Sequence, residues 1–277
     1  MMKNIDLHIH TTFSDGRCTP AEVIEIVHQE DYNIISFTDH DCIDAHKESL
    51  PLKHKFEIEV VPGVEMSTYY DNYELHILGY FIDIFDKELN RILDYHQFKR
   101  LERAEKILKE LHDLFGFDIS INEVFDKATN KNLVGRSHIA AVMFDKGYTN
   151  FFNEAFSKYI GNGRPANVKK TTFDAPKVIK TIHEAGGVAI VAHPGVIQND
   201  FILPDLVDKG IDGLEIIYPT HTSNLRKKYL NIAESYDLLV SGGSDFHRPD
   251  VKSNKIGVID LDEKYFTQMK EFARENY

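Results

Sequence analysis

The chain has 277 residues, of which 42% are hydrophobic and 27% charged, and its formal net charge is −12. This composition excludes fibrous and disordered chains, and the acidic balance argues against a general binder of nucleic-acid duplexes. No apolar run approaches the length of a bilayer span and the N-terminus lacks an apolar signal core, so we expect neither secretion nor membrane contact. The only cysteines, Cys18 and Cys42, lack Cys-x-x-Cys spacing and indicate free thiols in a reducing, cytoplasmic setting.

Residues 1–85 alternate between strand and helix patterns. Apolar and polar side chains alternate over residues 5–10, which is the period of a strand. Thr19 and Glu22 form a capping box around Pro20, which predicts a helix starting there. Three further strands are predicted, at residues 33–39, 56–61 (stopping at Pro62-Gly63) and 74–80.

Residues 86–171 have a different pattern, without a convincing strand. Leu89 to Phe115 reads as a long amphipathic helix that ends at Gly116. Shorter helices are predicted at residues 121–129, 137–146 and 151–160. This part of the chain therefore indicates a small inserted helical domain.

Strand–helix alternation resumes after residue 171. Strands are predicted at 188–192, 213–218 and 238–241, and helices at 175–185, 204–209 and 224–236. Repeated units of this kind with short loops predict an α/β fold with a parallel sheet, and their number favours a barrel. We expect that barrel to consist of residues 1–85 and 172–277.

Side chains that commonly bind metal ions gather where the predicted strands end, which is where parallel barrels hold their active sites. Nine such side chains are candidate ligands: His8, His10, Asp15, His40, Glu65, His76, His193, Asp245 and His247. Burying them without metal would leave many unpaired polar groups. Imidazoles and carboxylates suit Mn²⁺, Fe²⁺ or Zn²⁺, and nine ligands exceed the needs of one ion, so the pattern predicts a multinuclear site.

Five separated segments resemble the motifs of the PHP (polymerase and histidinol phosphatase) family of metal-dependent phosphoesterases. They are His-Ile-His-Thr-Thr-Phe-Ser-Asp-Gly at 8–16, Thr-Asp-His-Asp at 38–41, Pro-Gly-Val-Glu at 62–65, His-Pro at 193–194 and Gly-Ser-Asp-Phe-His at 243–247. Residues 135–138 and 161–166 resemble the inserted domain of one subgroup. That subgroup includes nucleoside 3′,5′-bisphosphate phosphatases and enzymes that trim RNA from its 5′ end.

The resemblance implies a distorted, TIM-like (β/α)₇ barrel that holds two to three divalent ions, Mn²⁺ in first place and Fe²⁺ or Zn²⁺ as alternatives. It assigns His8, His10, Glu65 and Asp245 to the first ion, Glu65, His76 and His193 to the second, and Asp15, His40 and His247 to the third. One departure from the family pattern is Arg248, which follows His247 where a small residue is common; it either narrows the site or contacts a phosphate.

Charge arithmetic agrees with a phosphate substrate. Three divalent ions and three carboxylate ligands would leave the site at about +3 despite the acidic chain. We expect hydrolysis of a phosphoester in a small phosphorylated nucleotide, such as a nucleoside 3′,5′-bisphosphate, or in a short RNA 5′ end, by a hydroxide bridging the ions. Duplex DNA, a membrane and an obligate protein partner are not expected.

Beyond the ligands, a few residues are candidates for catalysis or substrate binding. The catalytic candidates are Asp245, His221 and Asp39, and the substrate-binding candidates are Arg136, His138, His221 and Arg248. Asp39 and Asp41 either orient a ligand or, for Asp41, cap a helix.

Other polar residues are expected to have ordinary roles. The cluster of Arg164, Lys169 and Lys170 is interpreted as a solvated face, with a second-phosphate site as the alternative. The histidines of helices and connectors are expected to be structural: His28, His46, His54, His96, His112 and His183.

Three other functions compete with the nucleotide phosphoesterase. An amidohydrolase-type barrel also uses His-x-His and a late Asp, but does not account for Asp15 and the segments at 39–41 and 243–247 as a set. A histidinol phosphatase or another small phosphomonoesterase remains open, although the insertion points away from it. A noncatalytic metal-binding regulatory module would be expected to lack several ligands, whereas all nine are present here.

Overall fold

The structure of the chain is a computed structural model that describes residues 4–49, 56–128, 130–197 and 199–277. His54 and Thr129, the expected end of the helix predicted at 121–129, lie outside these residues. Within this part of the chain, no helix combines the length and apolar character needed to cross a bilayer.

Seven strands form one sheet in chain order. They are β1 (Asn4–Ile9), β2 (Tyr32–Phe37), β3 (Glu59–Tyr70), β4 (Tyr73–Tyr80), β5 (Val188–Val191), β6 (Gly213–Ile217) and β7 (Leu239–Gly242). The pairings are parallel except around β4, which runs antiparallel to both β3 and β5. The sheet is therefore mostly parallel, as the prediction of a parallel sheet implies, and β4 is the exception.

The predicted end of the third strand at Pro62-Gly63 was wrong. Pro62 is the last residue of β3 to pair with β2, and Gly63 is the first to pair with β4. The strand changes partner there, and glycine allows the close packing at this point, since a Cβ on Gly63 would lie 2.2 Å from Oγ of Ser36. This extension carries Glu65 within β3 and sets β4 beside it, so that Ser67 pairs with His76.

Helices surround the sheet and fill the stretch between β4 and β5. They are α1 (Pro20–Gln29), α2 (Asp44–Ser49), α3 (Lys87–Phe115), α4 (Ile121–Phe125), α5 (Arg136–Asp145), α6 (Phe152–Glu154, continued as a π-helical turn over Ala155–Ile160), α7 (Ala175–Glu184), α8 (Pro194–Ile197), α9 (Leu203–Asp208), α10 (Ser223–Ser235) and α11 (Glu263–Asn276).

Local capping signals account for the best-predicted helices. The capping box of Thr19 and Glu22 is present at the start of α1, and Gly116 ends α3 in the left-handed region at φ 69°. The sequence analysis missed α2, α8 and α11. Of these, α11 is the longest, and it buries Phe266 and Met269 against apolar residues of the sheet.

Residues 104–168 have an apolar cluster of their own. Side chains of α3, α4 and α5 meet in it, among them Ile107, Val124 and Ile139, together with Ile160 of the π-helical turn. Separate clusters lie against the sheet. Burial of apolar surface thus stabilises the helical stretch from within.

The segment after β7 reaches the end of β1. Phe246 forms a parallel bridge with Ile9, and the amide N–H of His10 donates to the carbonyl of Phe246 over 2.8 Å. Gly243 permits this approach, since a Cβ there would lie 2.2 Å from Cβ of His8. The bridge places the His8–His10 pair beside Asp245.

Candidate metal centre and adjoining cavities

All nine predicted ligands come together at one end of the sheet. Three overlapping groups each have ligand atoms within 4.8 Å of one another. The groups are His8, His10 and Asp245; His40, Glu65 and His76; and His10, Asp15, His40 and His247. Because His10 and His40 each belong to two groups, the structure brings the ligands together without dividing them among individual ions.

Glu65 lies at the centre of this cluster and is 1% exposed. Its Oε1 lies 2.8 Å from Nδ1 of His76 and 3.0 Å from Nε2 of His193. Its Oε2 makes no hydrogen bond, although it is within 3.4 Å of ring nitrogens of His8, His10 and His40. A buried carboxylate oxygen without a hydrogen bond, surrounded by imidazole nitrogens, fits a cation ligand, so the residues present fit divalent ions.

His8, His10 and Asp245 form the group nearest the strand ends. The Nε2 atoms of His8 and His10 lie 3.1 Å apart, and Oδ1 of Asp245 lies 3.2 Å from Nε2 of His10. Burial lowers the pKa of His10, but the nearby carboxylates of Asp245 and Glu65 outweigh it and raise that pKa to about 10. Asp245 has a left-handed backbone at φ 53°, a strained conformation that tends to occur at functional sites.

Asp15 brings the loop after β1 into the centre. Its Oδ1 lies 3.3 Å from Nε2 of His247, and its Oδ2 lies 3.9 Å from Nε2 of His40. Burial opposes ionisation of Asp15, but the charges of His247 and His40 dominate and hold its pKa well below the usual range. The loop turns tightly at Gly16, where a Cβ would lie 2.5 Å from the carbonyl oxygen of His10.

A basic cavity of about 290 Å³ opens beside the centre. Asp15, His40 and His76 line one side of it, and the basic side chains that line it are Arg100, Arg103, Arg136, Lys170 and His138. Helix α3, the start of α5 and the segment leading to α7 supply these side chains. An anion held among them would therefore lie next to the candidate metal ligands.

The four Lys and Arg side chains of this cavity differ in how their charge is balanced. Arg100 pairs with Asp41 over 2.9 Å, and Nζ of Lys170 lies 3.3 Å from Glu74. Within the described part of the chain, Arg103 and Arg136 make no ion pair. Burial, aided by the positive charge of the neighbouring Arg136, lowers the pKa of Arg103 to about 10.

A second cavity of about 850 Å³ is lined by Asp15, which it shares with the basic cavity, and by His247. Arg248 faces this second cavity, is 40% exposed and lies 3.4 Å from Asp250. Ser137 and His138 line both cavities. Arg136 lines only the basic cavity, so Arg136 and Arg248, both predicted substrate contacts, line different cavities.

The family model of the PHP domain matches residues 6–160 of this chain. That span includes the strand-end motifs of β1, β2 and β3 and most of the helical stretch. The chain belongs to the PHP family. It is a metal-dependent phosphoesterase, as the resemblance of its motifs implied.

Curated relatives of this PHP enzyme are named for action on RNA, on a nucleoside bisphosphate and on a phosphoribosyl cyclic phosphate. The chain is 33% identical to a 5′-3′ exoribonuclease of Haemophilus influenzae, over 90% of this chain and 92% of the relative. It is 30% identical to a 3′,5′-nucleoside bisphosphate phosphatase of Chromobacterium violaceum, over 92% of this chain and 91% of the relative. A phosphoribosyl 1,2-cyclic phosphate 1,2-diphosphodiesterase of Eggerthella lenta is 26% identical, over 87% and 93% of the two chains.

Solved structures share the fold of this PHP enzyme over nearly the whole chain. A Bifidobacterium adolescentis protein assigned as a metal-dependent phosphoesterase superposes with a TM-score of 0.87 and 25% identity, covering 96% of this chain and 95% of its own. A Chromobacterium violaceum protein named as an amidohydrolase, solved with sulfate and without metal, superposes with a TM-score of 0.86 and 27% identity, covering 97% and 96%.

Two candidate catalytic residues of this PHP enzyme have only structural partners in the described chain. The buried carboxylate of Asp39 accepts from the amide of Thr11 over 2.8 Å, the hydroxyl of Thr11 over 2.7 Å and the hydroxyl of Ser14 over 2.5 Å. Nε2 of His221 accepts from the amide of Gly195 over 3.2 Å, and its Nδ1 bonds the carbonyl of Ile216 over 3.0 Å. These contacts favour a role for Asp39 in positioning the loop after β1 and for His221 in positioning the segment around Gly195.

The alternatives for Asp41 and the basic cluster also need correction. Asp41 caps no helix; it accepts from the amide of Ser67 and bonds His96 and Arg100, which ties the end of β2 to α3. Lys170 is not on a solvated face, because its side chain is 11% exposed and its Nζ lies 2.6 Å from Oγ of Ser67. Lys169 of the same cluster is exposed.

The sequence analysis missed two buried carboxylates behind the ligands. Oε1 of Glu215 lies 2.9 Å from Nδ1 of His8, and its Oε2 accepts from the amide of His193 over 2.8 Å. Asp6 accepts from the amides of His8 and Ser244 over 3.3 and 2.8 Å. The available signal was an acidic residue inside a buried apolar strand, as in Leu-Glu-Ile at 214–216.

Proposed function

We propose that this PHP enzyme removes the 3′-phosphate of a nucleoside 3′,5′-bisphosphate, with the 5′-phosphate held in the basic cavity. The observation that carries the proposal is the pair of guanidinium groups of Arg103 and Arg136, which line the cavity next to the metal centre and form no ion pair within the described residues, although Glu74 lines the same cavity. Guanidinium groups bind phosphate oxygens through paired donors. A substrate with two phosphates would place its 5′-phosphate among the guanidinium groups of the cavity and its 3′-phosphate at the metal centre.

We further propose that the nine predicted ligands hold two to three divalent ions, with Mn²⁺ as the most effective. The mixed nitrogen and oxygen donors and the absence of cysteine from the three groups support this choice. Bound ions supply positive charge for the phosphate and lower the pKa of the attacking water. The chain's own part is to orient the ligands through Glu215 and Asp6 and to bind the second phosphate through Arg103 and Arg136.

The domain organisation that we propose gives this site its shape. The bridge between Ile9 and Phe246 supports closure of the sheet as a distorted barrel of residues 1–85 and 172–277. The separate apolar cluster of residues 104–168 supports an inserted domain over 86–171. In that arrangement the insertion contributes Arg103 and Arg136 to a pocket whose floor is the metal centre.

Steady-state kinetics on matched nucleotides test the substrate. The comparison uses adenosine 3′,5′-bisphosphate, adenosine 3′-monophosphate and adenosine 5′-monophosphate with Mn²⁺. We expect kcat/KM for the bisphosphate to exceed that for either monophosphate at least tenfold, with inorganic phosphate and the 5′-monophosphate as products. Equal values for the 3′-monophosphate and the bisphosphate would instead favour a general small phosphomonoesterase such as a histidinol phosphatase. Cleavage of amide substrates tested side by side with the nucleotides, without phosphate release, would favour an amidohydrolase.

A further inference from the structure

We infer that Asp41 is a positioning residue that holds one wall of the basic cavity in place beside the metal centre, and that the preference for a substrate with a second phosphate depends on it. The inference rests on the proposed function, because it takes the basic cavity as the site of the 5′-phosphate. Asp41 does not line the cavity, whereas Arg100 and Lys170 do. Asp41 therefore acts through these two cationic side chains.

The buried carboxylate of Asp41 has partners on two separate elements. Its Oδ1 accepts from the amide of Ser67 over 2.8 Å and lies 2.9 Å from Nδ1 of His96. Its Oδ2 accepts from the hydroxyl of Ser67 over 2.9 Å and from Nη2 and Nε of Arg100 over 2.9 and 3.0 Å. Because Ser67 belongs to β3 and the other two residues belong to α3, this one carboxylate fastens the helix to the strand.

The contacts with Asp41 determine how the guanidinium group of Arg100 is turned. Nε and Nη2 lie on one edge of the group, and both bond Oδ2 of Asp41. The remaining nitrogen, Nη1, makes no hydrogen bond within the described residues and lies 3.9 Å from the place of a Cβ on Gly135. Gly135 and Arg136 line the basic cavity. Since the donor fork of a guanidinium is rigid, fixing one edge on Asp41 turns Nη1 toward the start of α5.

Asp41 also orients Lys170, through the hydroxyl of Ser67. A serine hydroxyl has one proton to donate, and this hydroxyl donates it to Asp41 over 2.9 Å. The same oxygen accepts from Nζ of Lys170 over 2.6 Å. Two of the four Lys and Arg side chains that line the basic cavity thus depend on one carboxylate that lies behind them.

The same network joins the two places where the chain passes between the sheet and the proposed insertion. Helix α3, which contains His96, carries the chain out, and residues 170–172 bring it back toward α7. The hydroxyl of Thr172 donates to the carbonyl of Ser67 over 2.6 Å, and its oxygen lies 2.8 Å from Nε2 of His96. Both passages are therefore fastened around Asp41.

The backbone of Asp41 connects this network to the metal centre. Asp41 directly follows His40, and its amide donates to the carbonyl of Glu65 over 2.9 Å. Its φ of 51° lies in the left-handed region, which a residue with a side chain adopts only when its surroundings enforce it. The distance between the phosphate-binding wall and the candidate metal ligands is thus set at one residue. A misplacement of about 1 Å can cost a factor of about 100 in rate.

Asp41→Asn tests the inference on two substrates that differ only in the 5′-phosphate. We measure kcat/KM for adenosine 3′,5′-bisphosphate and for adenosine 3′-monophosphate with Mn²⁺ at fixed ionic strength, and take the ratio of the first value to the second. Asparagine lacks the charge that holds Arg100. We expect the ratio to fall about tenfold through a higher KM for the bisphosphate, with the metal content unchanged.

Product inhibition separates positioning from a merely structural role. Adenosine 5′-monophosphate places its phosphate in the basic cavity, whereas inorganic phosphate competes at the metal centre. In Asp41→Asn, inhibition by the nucleotide should weaken about tenfold relative to inhibition by inorganic phosphate. Equal weakening of both would indicate a general loss of structure and would overturn the inference.

Further variants show whether Asp41 acts through its neighbours. Arg100→Gln removes the guanidinium itself, so adding Asp41→Asn to it should lower the ratio further by only about threefold or less. Full multiplication of the two single effects would contradict the inference. Ser67→Ala removes the hydroxyl that joins Asp41 to Lys170 and should lower the ratio about threefold. If Asp41→Asn does not fold, Ser67→Ala decides, and an unchanged ratio in it overturns the inference.

A matched control removes the charge of an aspartate that lies away from the cavity. Asp113 is exposed on α3 and pairs with Lys109. Asp113→Asn should leave kcat/KM for both substrates unchanged, because neither residue of this pair lines the basic cavity. The same fall in the ratio for Asp113→Asn as for Asp41→Asn would reduce the effect to overall charge and overturn the role of Asp41.

Failure of this inference is distinct from failure of the proposed function. A wild-type preference for the bisphosphate that persists in Asp41→Asn would overturn the role of Asp41 and leave the phosphatase standing. Loss of metal from Asp41→Asn, with an equal fall in activity on both substrates, would assign the residue to the metal centre and also overturn the inference. Equal kcat/KM values for the two substrates in wild-type enzyme would overturn the proposed function itself.

Discussion

Oε1 of Glu215 lies 2.9 Å from Nδ1 of His8, while Nε2 of the same ring faces Oε2 of Glu65 at 3.4 Å. The buried glutamate therefore fixes which ring nitrogen of His8 is turned toward the metal centre. We expect Glu215→Gln to lower metal affinity or turnover about 10- to 100-fold, the usual effect of losing a carboxylate that orients a ligand. Metal titration of the purified variant checks this, and Glu234→Gln, on the exposed side of α10, serves as the control.

Removing a candidate ligand should abolish turnover. Asp245→Asn and His10→Ala each take away a donor of the group that also contains His8, so we expect phosphate release to fall to the detection limit. His112 is exposed in the last turn of α3, and His112→Ala should keep wild-type activity. Comparable rates in all three variants would show that the ligand assignment is wrong.

Arg136 should act on substrate binding and not on metal binding. Its Nη1 donates to Oδ1 of Asn162 over 2.9 Å, which holds the guanidinium at the edge of the basic cavity. Arg136→Ala should raise KM for the bisphosphate about tenfold or more and leave the metal content unchanged. Exposed Arg164 does not line this cavity, so Arg164→Ala is the matched control; an equal rise in KM for both variants would indicate a diffuse charge effect.

Metal binding should release protons. The pKa of His10 is about 10 in the metal-free chain, so this ring is protonated at pH 7.5, whereas an imidazole must be neutral to ligate. Raising the pH toward 10 removes that proton before the metal binds. The apparent affinity for Mn²⁺ should therefore increase with pH, up to about tenfold per pH unit for each proton released. Calorimetry of Mn²⁺ binding in buffers with different ionisation enthalpies measures the release, and a binding heat that is independent of the buffer would contradict it.

Local signals made the strand-end ligands predictable from the sequence. The two-residue repeat of a strand is enough to predict that both rings of the His-x-His pair at the end of β1 lie on one face. Four neighbouring residues are enough to predict the capping box of α1. The segments that bring the ligands together were each recognisable from a few consecutive residues. The nine side chains could therefore be named before the fold was known.

Long-range partners were not predictable in this way. Glu215 and His8 are 207 residues apart, and no pattern within β6 reveals which ring its carboxylate meets. The antiparallel pairing of β4 with β5 joins Ile77 to Val191, and the burial of Lys170 depends on a cavity assembled from α3, the β3–β4 hairpin and α5. In each case the deciding contact is between elements that are distant in the chain.

Removal and return of metal tests most directly whether the strand-end residues hold the ions on which hydrolysis depends. Phosphate release from adenosine 3′,5′-bisphosphate is measured alongside elemental analysis before chelation, after chelation and during titration with Mn²⁺. We expect activity to disappear with the metal and to return as two to three ions bind per chain, with no recovery in Asp245→Asn. Full activity in protein that contains no metal, maintained in excess chelator, would contradict this account.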